Sequence, residues 1–359
     1  MKLDQDKELK KLLSLVSSKL STDRRYLEII DYGELEINAF SITFWIDFKG
    51  DENISSVYLK IPKYIFYDKR INFTTPIKES DRVLAKNEYD SLLYLSSNWD
   101  ESEGVSFVKP ITYIEEYNAI LTERVFGSLL FKEYKKSDSL QKYKKENRDN
   151  VAKAMCNFGK SLRAFHSRSS SPSVFKANQV LSKINLYIEF LKEQGVNVSF
   201  FNTLSNVINH YKDFEHPSYD VDNLKGIDIR QIFLSDKGNL FVIDPGKITK
   251  GYREIDLARF IVTCRIIYWG TSKVLIRVNP DKSYENHFIH EYYDGNKPES
   301  TALSILIIKE FFKQWKVSHS ALLERNWSFV IKYLTKKLYI DPYFKWQISN
   351  ELKELKKRV

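Results

Sequence analysis

Asp244 closes the run Gly238-Asn239-Leu240-Phe241-Val242-Ile243-Asp244-Pro245-Gly246, where a turn residue leads into apolar residues and an acidic residue ends them. A short apolar run bounded by turn residues predicts a buried strand. A carboxylate at the end of such a strand can hold a metal ion against a phosphate. Lys60 follows Val57-Tyr58-Leu59, and a strand lysine among apolar neighbours is held rigidly enough to meet phosphate oxygens. The competing reading is an outward-facing lysine on an edge strand. Glu88 heads Glu88-Tyr89-Asp90-Ser91-Leu92-Leu93-Tyr94-Leu95, a segment of helical spacing that places a carboxylate on the helix following that strand. Other chemistries have thinner support. His287 and His290 have no third or fourth ligand in a recognised metal pattern and read as residues of a wet loop. The chain has neither a Gly-x-Ser-x-Gly elbow nor a Gly-x-x-x-x-Gly-Lys-Ser/Thr loop.

The elements that must position these residues follow from hydrophobic period. Leu9, Leu12, Leu13, Val16 and Leu20 share one face of a helix over 7–20, with lysines between them. Docking on the body of the protein is the expected role of that helix, and attachment to a membrane surface is the alternative. Residues 25–62 change to strand character. Leu35-Glu36-Ile37 is followed by the alternating Ser41–Phe48, a turn at Lys49-Gly50-Asp51 and a strand over Val57–Ile61, which predicts two or three antiparallel strands. Helical period returns over 80–97. Val105–Val108 and Ala119–Val125 are strand-like again, with a turn around Asn118 between them. Helices are predicted over 148–167, 178–193 and 198–213. Ser169-Ser170-Ser171-Pro172 marks a surface loop, a short strand pair falls within 225–244, and helices fill most of the remainder. The class is α+β.

Several of these stretches, in this order, resemble the aminoglycoside phosphotransferase and lipopolysaccharide kinase branch of the protein-kinase-like fold. Asp244 and Ile255-Asp256-Leu257-Ala258-Arg259-Phe260 resemble its metal-binding and structural acidic motifs. Val57-Tyr58-Leu59-Lys60 resembles the Val-Ala-Ile-Lys strand of kinases. Ala119-Ile120-Leu121-Thr122-Glu123-Arg124-Val125-Phe126-Gly127 looks like the hinge, and Phe158–His166 resembles a Gly-x-x-Leu-x-x-Leu-His helix whose Gly159 permits close helix packing and whose His166 is structural. The resemblance covers roughly residues 30–270. It implies a bilobal architecture: an amphipathic helix over 1–24, a small antiparallel-sheet lobe over 25–126 that binds nucleotide, and a mainly helical lobe over 127–359.

The resemblance also implies ATP and Mg²⁺ as cofactors, and it distributes roles. Lys60 and Glu88 would position phosphates, and backbone groups near Glu123 and Val125 would meet the adenine edge. In the family the metal-binding Asn stands thirteen residues before the metal-binding Asp, which here gives Gln231, a residue able to offer a carbonyl oxygen beside Asp244. The catalytic Asp stands five earlier, and that position is Gly226. Asp228 is the nearest carboxylate able to serve as base and Asp222 the next. The loop expected to cover the phosphates, Asn38–Phe44, has no glycine, although Ser41 or Thr43 could donate a hydroxyl. Asp256 should brace the catalytic loop through its backbone, with Arg259 as its partner, whereas Arg253 and Lys247 read as solvated charge. The implied activity is transfer of phosphate from ATP to a hydroxyl of a small molecule or glycan. A pseudokinase-like binding module is the alternative, motivated by Gly226. A kinase of protein substrates is a third possibility, disfavoured because no activation segment of the protein-kinase kind follows Asp244.

Bulk properties bound these expectations. A chain of 359 residues, 43% hydrophobic, can bury a substantial core. Its formal charge of +9 favours anionic partners, among them nucleotide phosphates, an anionic glycan or an acidic membrane surface touched peripherally. The basic residues are dispersed rather than gathered into a nucleic-acid module, so no nucleic acid is expected. No apolar run approaches the ~18 residues of a membrane span, and the first residues lack the apolar centre of a signal peptide. Cys156 and Cys264 read as buried free thiols of a reducing compartment, and the expected location is cytoplasmic.

Overall fold

The computed structural model describes residues 2–21, 27–37, 41–49, 56–62, 78–137, 145–276, 282–296 and 300–357. Residues 38–40 of the expected phosphate loop, Gly50 and Asp51 of the expected turn, and residues 22–24 of the expected first domain lie outside these. In chain order the elements are α1 (Lys2–Leu20), β1 (Glu28–Tyr32), β2 (Glu36–Ile37), β3 (Ser41–Lys49), β4 (Ser56–Pro62), α2 (Glu79–Asn98), β5 (Val105–Phe107), β6 (Pro110–Ile114), β7 (Ala119–Glu123), β8 (Ser128–Leu129), α3 (Leu130–Ser137), α4 (Lys145–Ser169), β9 (Ser171–Lys176), α5 (Ala177–Glu193), α6 (Val198–His210), β10 (Glu215–Leu224), β11 (Ile232–Leu234), β12 (Leu240–Val242), β13 (Ile248–Tyr252), α7 (Glu254–Ile276), α8 (Ser283–Tyr292), α9 (Ser300–Glu324), α10 (Phe329–Leu334) and α11 (Asp341–Lys356). The mixed α+β class holds, with antiparallel sheet in the first part and helices in the second. The chain divides into two compact units.

The first unit comprises Met1–Trp99, Phe107–Phe126 and Phe241–Lys247. Its antiparallel sheet runs in the order β1-β3-β4-β7-β6, and β2 also pairs with β3. That is more strand than the two or three predicted before residue 62. β1 gave no alternating signal because this strand is largely exposed, and only Ile29 is half-buried. The two-residue period of β3 and β4 sends Ile42, Phe44 and Ile46, with Val57, Leu59 and Ile61, to one face of the sheet. There they pack with Leu9, Leu12, Leu13, Val16 and Leu20 of α1 in one core cluster. Leu12 and Val16 are fully buried, each worth about 1.5–3 kcal/mol of burial. The docking role expected of α1 is therefore the observed one, and its apolar face is spent inside the protein rather than left for a membrane. The same period turns Thr43 and Lys60, register partners across β3 and β4, to the other face, and α2 packs on β4, β6 and β7.

The second unit comprises Asp100–Ser106, Gly127–Leu240 and Ile248–Val359 and is mainly helical. α4 packs on α8 at close range, and a Cβ at Gly159 would lie 2.5 Å from the Phe288 carbonyl oxygen, so the close-packing role predicted for this glycine is observed. A three-stranded sheet in the order β13-β10-β9 crosses the unit. The Ser169–Pro172 segment, expected to be a loop, instead leads directly from α4 into β9. Pro172 is tolerated because β9 is an edge strand. Pro217 is tolerated because β10 pairs only with β9 at that point, its pairing with β13 beginning at Asp220. Inside the helices, the Arg265 guanidinium on α7 donates to Glu285 of α8 at 2.9 Å and to Glu351 of α11, all three buried. His287 and His290 are exposed residues of helix α8 rather than of a loop. Both cysteines are free thiols, Cys264 buried and Cys156 half-buried. No described helix is long and apolar enough to cross a membrane.

Candidate active site

The first unit brings Lys60, Glu88 and Asp244 together. The Lys60 ammonium donates to Glu88 Oε1 at 2.7 Å, to Glu88 Oε2 at 2.8 Å and to Asp244 Oδ2 at 2.8 Å. An ammonium has three N–H donors, and all three are taken by carboxylates. Lys60 is inward-facing, which removes the competing reading of an edge lysine: β4 has a neighbour on each side. Burial disfavours the Lys60 cation, but the charges of Asp244 and Glu88 outweigh it and hold its pKa above the ordinary lysine value. Glu88 is buried more deeply than Lys60, and burial together with the neighbouring Asp244 charge pushes its carboxyl up to about 7 against the pull of Lys60. Two carboxylates around one ammonium leave a net negative charge when both are ionised.

Three local devices fix this cluster. Val108 N–H donates to Val242 O at 3.1 Å and holds the end of β12, and two residues on the chain reaches Asp244. Gly246, at φ +61°, turns the chain beyond it. Asn118 is the third, and sequence reasoning saw there only a turn. It sits in the left-handed region at φ 55° and is fully buried. Its amide donates to Pro62 O at 3.0 Å and to Asp81 O at 3.1 Å, and its carbonyl oxygen accepts from the Tyr113 hydroxyl at 2.7 Å. One side chain thereby ties the end of the Lys60 strand to the start of the Glu88 helix. The available signal was the residue type, since Asn tolerates left-handed backbone.

Asp244 is 29% exposed, and its Oδ1 has no hydrogen-bond partner among the described residues. A hard divalent cation suits such a donor. Among the described residues no group of three His, Cys, Asp or Glu side chains could hold a metal ion, so the remaining ligands would be other oxygen donors: an amide, phosphate or water. Mg²⁺ is bound in that way, through one or two carboxylates plus substrate oxygens, and the donor set fits it.

The other predicted nucleotide contacts in this unit are spread along the sheet. Ser41 is buried where β3 begins, opposite Pro62. Glu123 ends β7, and there its N–H donates to Lys109 O at 3.0 Å while its carboxylate accepts from Lys109 N–H at 3.1 Å. Val125 lies in the irregular stretch after it. Between them Arg124 is sandwiched by rings, 4.2 Å from the Trp45 centroid and 4.8 Å from that of Phe126, and pairs with Asp47 at 2.9 Å. The ring contact with Trp45 and the Asp47 pairing are long-range contacts, which no local sequence pattern signals.

In the second unit Asp228 and Gln231 share one tight turn. Asp228 caps it, accepting from Arg230 N–H at 2.8 Å, while Gln231 N–H donates to Asp228 O at 2.9 Å. Both carboxylate oxygens of Asp228 also accept from the Arg230 guanidinium, at 2.9 and 3.0 Å from Nε and in a further contact with Nη2. The strand end that leads into this turn, Leu224, is braced by side chains of α7. Asp256 Oδ2 accepts from Leu224 N–H at 2.7 Å, Arg259 donates to Leu224 O at 2.7 Å, and the two side chains lie 3.9 Å apart. His166 bridges the same Asp256 oxygen, at 3.3 Å, and the Tyr292 hydroxyl, at 2.7 Å. Asp222, the second candidate base, pairs with Lys250 at 3.0 Å across β10 and β13. Arg253 lies 5.3 Å from the ring centroids of both Tyr219 and Tyr293 and pairs with Glu254, so it is a packed residue rather than solvated charge. Lys247 is exposed.

No protein-family model matches the chain, and no curated protein matches it in sequence. Solved structures do match. An aminoglycoside 2'-phosphotransferase in complex with GDP superposes with a TM-score of 0.57 at 11% identity, over 93% of this chain and 97% of that one. A choline kinase from Cryptosporidium parvum gives 0.54 at 13% identity, over 98% and 97%. The chain has the protein-kinase-like fold. A spectinomycin phosphotransferase in complex with ADP and spectinomycin, at 0.52 and 13% identity over 96% and 98%, shares it. Within the protein-kinase-like fold, these neighbours are named as small-molecule kinases, and two of them hold a nucleotide.

Proposed function

We propose that the protein is an ATP-dependent phosphotransferase acting on a hydroxyl group of a small molecule, with sugar-containing acceptors favoured. The carrying observation is the cluster in which one half-buried lysine is shared by a helix carboxylate and a carboxylate just beyond a strand end. Lys60 would pair with nucleotide phosphates, held in place by Glu88, and Asp244 would hold Mg²⁺, with Gln231 as the further ligand. Bound there, the ion would neutralise charge on the transferring phosphoryl group. Ser41 and backbone groups at Glu123 and Val125 would complete the nucleotide contacts. Phosphoryl transfer depends mainly on positioning and charge neutralisation, and this arrangement is suited to both. Asp228 would accept the acceptor's proton once released from Arg230. The names of the structural neighbours, which include kinases of aminoglycosides and choline, support a small-molecule acceptor.

A second reading has its own observation. Gly226 offers no side chain, and both oxygens of Asp228 are already engaged by Arg230. A module that binds nucleotide without turnover would tolerate both. One experiment separates the readings: incubation with Mg·ATP and a panel of aminoglycosides, amino alcohols and oligosaccharides, following ADP release and gain of one phosphate by mass. Acceptor-dependent ADP that disappears in Asp244→Ala supports the transferase. Saturable nucleotide binding with no acceptor-dependent ADP supports the module. Absence of nucleotide binding defeats both.

A further inference from the structure

The segment from Arg325 to Ile340 is at odds with the rest of the molecule. A helix that is apolar on all sides belongs in a core or a membrane, yet α10 has no buried residue, and Lys337 and Leu338 of the wider helical turn that continues it from Thr335 to Ile340 are exposed. Phe329 is 81% exposed, and Val330 and Leu338 are each 61% exposed. Trp327, Ile331 and Leu334 are exposed beside them. Contiguous exposed apolar surface of this kind marks an interaction site.

The charges around it select the partner. The sixteen residues from Arg325 to Ile340 contain Arg325, Lys332, Lys336 and Lys337 and no acidic residue. Arg325 stacks on Trp327 at 4.4 Å, the Lys332 ammonium donates to Leu323 O at 2.7 Å, and the Lys336 ammonium is held by Gln194 O. Lys337 is exposed. A second copy of this chain docking through the same patch would oppose these cations with their own counterparts, and like charges in a forming interface are costly. Anionic lipid headgroups instead supply the missing negative charge above an apolar layer that accepts Phe329 and Leu338. Basic residues flanking exposed aromatic and aliphatic ones are what interfacial binding uses. The membrane contact considered for α1 is thus excluded there by burial and has a built surface here.

We infer that the α10 region is a docking surface for an anionic membrane, with Phe329 and Leu338 entering the interface and Lys337 and its basic neighbours meeting the headgroups. The inference does not depend on the proposed catalysis. It is tested by co-sedimenting the full chain with vesicles of phosphatidylcholine alone and of phosphatidylcholine with one-quarter phosphatidylglycerol, alongside Phe329→Ser, Leu338→Ser and Lys337→Gln and a light-scattering measurement of mass. The substituted side chains are exposed, and circular dichroism checks that each variant folds. Wild type is expected to bind the anionic vesicles and be released by salt. Phe329→Ser should weaken partition about tenfold or more and Lys337→Gln about fivefold. Equal binding to both vesicle types, or undiminished binding by Phe329→Ser, overturns the inference. So does a dimer that dissolves on Phe329→Ser in a protein that ignores vesicles, since the patch would then belong to a second copy.

Discussion

Lys60 spends every N–H on carboxylates before any ligand arrives, and several consequences follow at this scale. Under the proposed function, nucleotide phosphates would gain the lysine only if Asp244 found another cation, so binding of ATP and of Mg²⁺ should be coupled. ATP titrated in the presence of a chelator is expected to bind more weakly than Mg·ATP, and calorimetry of the two titrations measures the difference. Under the proposed reaction, Asp244→Ala should lower turnover by about a hundredfold or more, the scale of a lost metal contribution, while Asp228→Ala lowers it at least about tenfold, as removal of a general base does. Undiminished turnover in Asp228→Ala would remove it as the base. Glu88 makes a prediction that needs no activity. Its pKa in the folded chain, about 7, stands above the ordinary 4.5, so the folded state holds a proton that the unfolded state has lost. The stability linked to this group is complete below pH 4.5 and is lost as pH rises through about 7. Chemical denaturation of Glu88→Gln against wild type should show that slope vanish between those limits. That Lys60 and Glu88 could meet was legible because one sits on a strand and the other on a helix of clear period, and Asp244 stood out as the acidic residue closing an apolar run. The two oxygens of Asp228 held by Arg230 were not legible, since neighbours in sequence reveal no rotamer.

At the level of elements, the strand bearing Lys60 and the helix bearing Glu88 owe their register to Asn118. Replacing it with Ala removes three hydrogen bonds from a buried position and leaves a non-glycine Cβ in left-handed backbone without the side-chain compensation. Together these should cost about 3 kcal/mol or more. Thermal unfolding of Asn118→Ala measures the loss, and Asn118→Asp, which would aim a buried carboxylate oxygen at the Pro62 and Asp81 carbonyls, should cost at least as much. Strands and helices with strong period were readable within a few residues: β3, β4, α2, α4 and α5 all lie where apolar spacing put them. The sheet of β9, β10 and β13 was not. Its first strand reads Ser171-Pro172-Ser173 at an edge, and β10 carries Pro217 among polar residues, so neither offers the alternation from which strands are recognised. β13 contributes only half-buried and exposed residues. Local composition there favours a loop, and pairing partners distant in sequence decide otherwise.

For the molecule as a whole, the order of motifs along the chain was more informative than any one of them, because only the fold accounts for a strand lysine, a helix glutamate and a strand-end aspartate in that succession. The helical unit is joined by a group that sequence order does not announce. Arg265 links α7, α8 and α11 through two buried glutamates, and Arg265→Leu leaves both without their cation. The expected cost is about 3–5 kcal/mol, read as a lowered urea midpoint, whereas replacing all three by apolar residues together should recover much of it. The helix at the front of the chain has a practical consequence as well. α1 roofs a sheet whose underside is Ile42, Phe44, Ile46 and their neighbours. A gene trimmed to begin near Leu27 would keep Lys60, Glu88 and Asp244, yet its product would emerge with an oily floor open to water and gather in inclusion bodies.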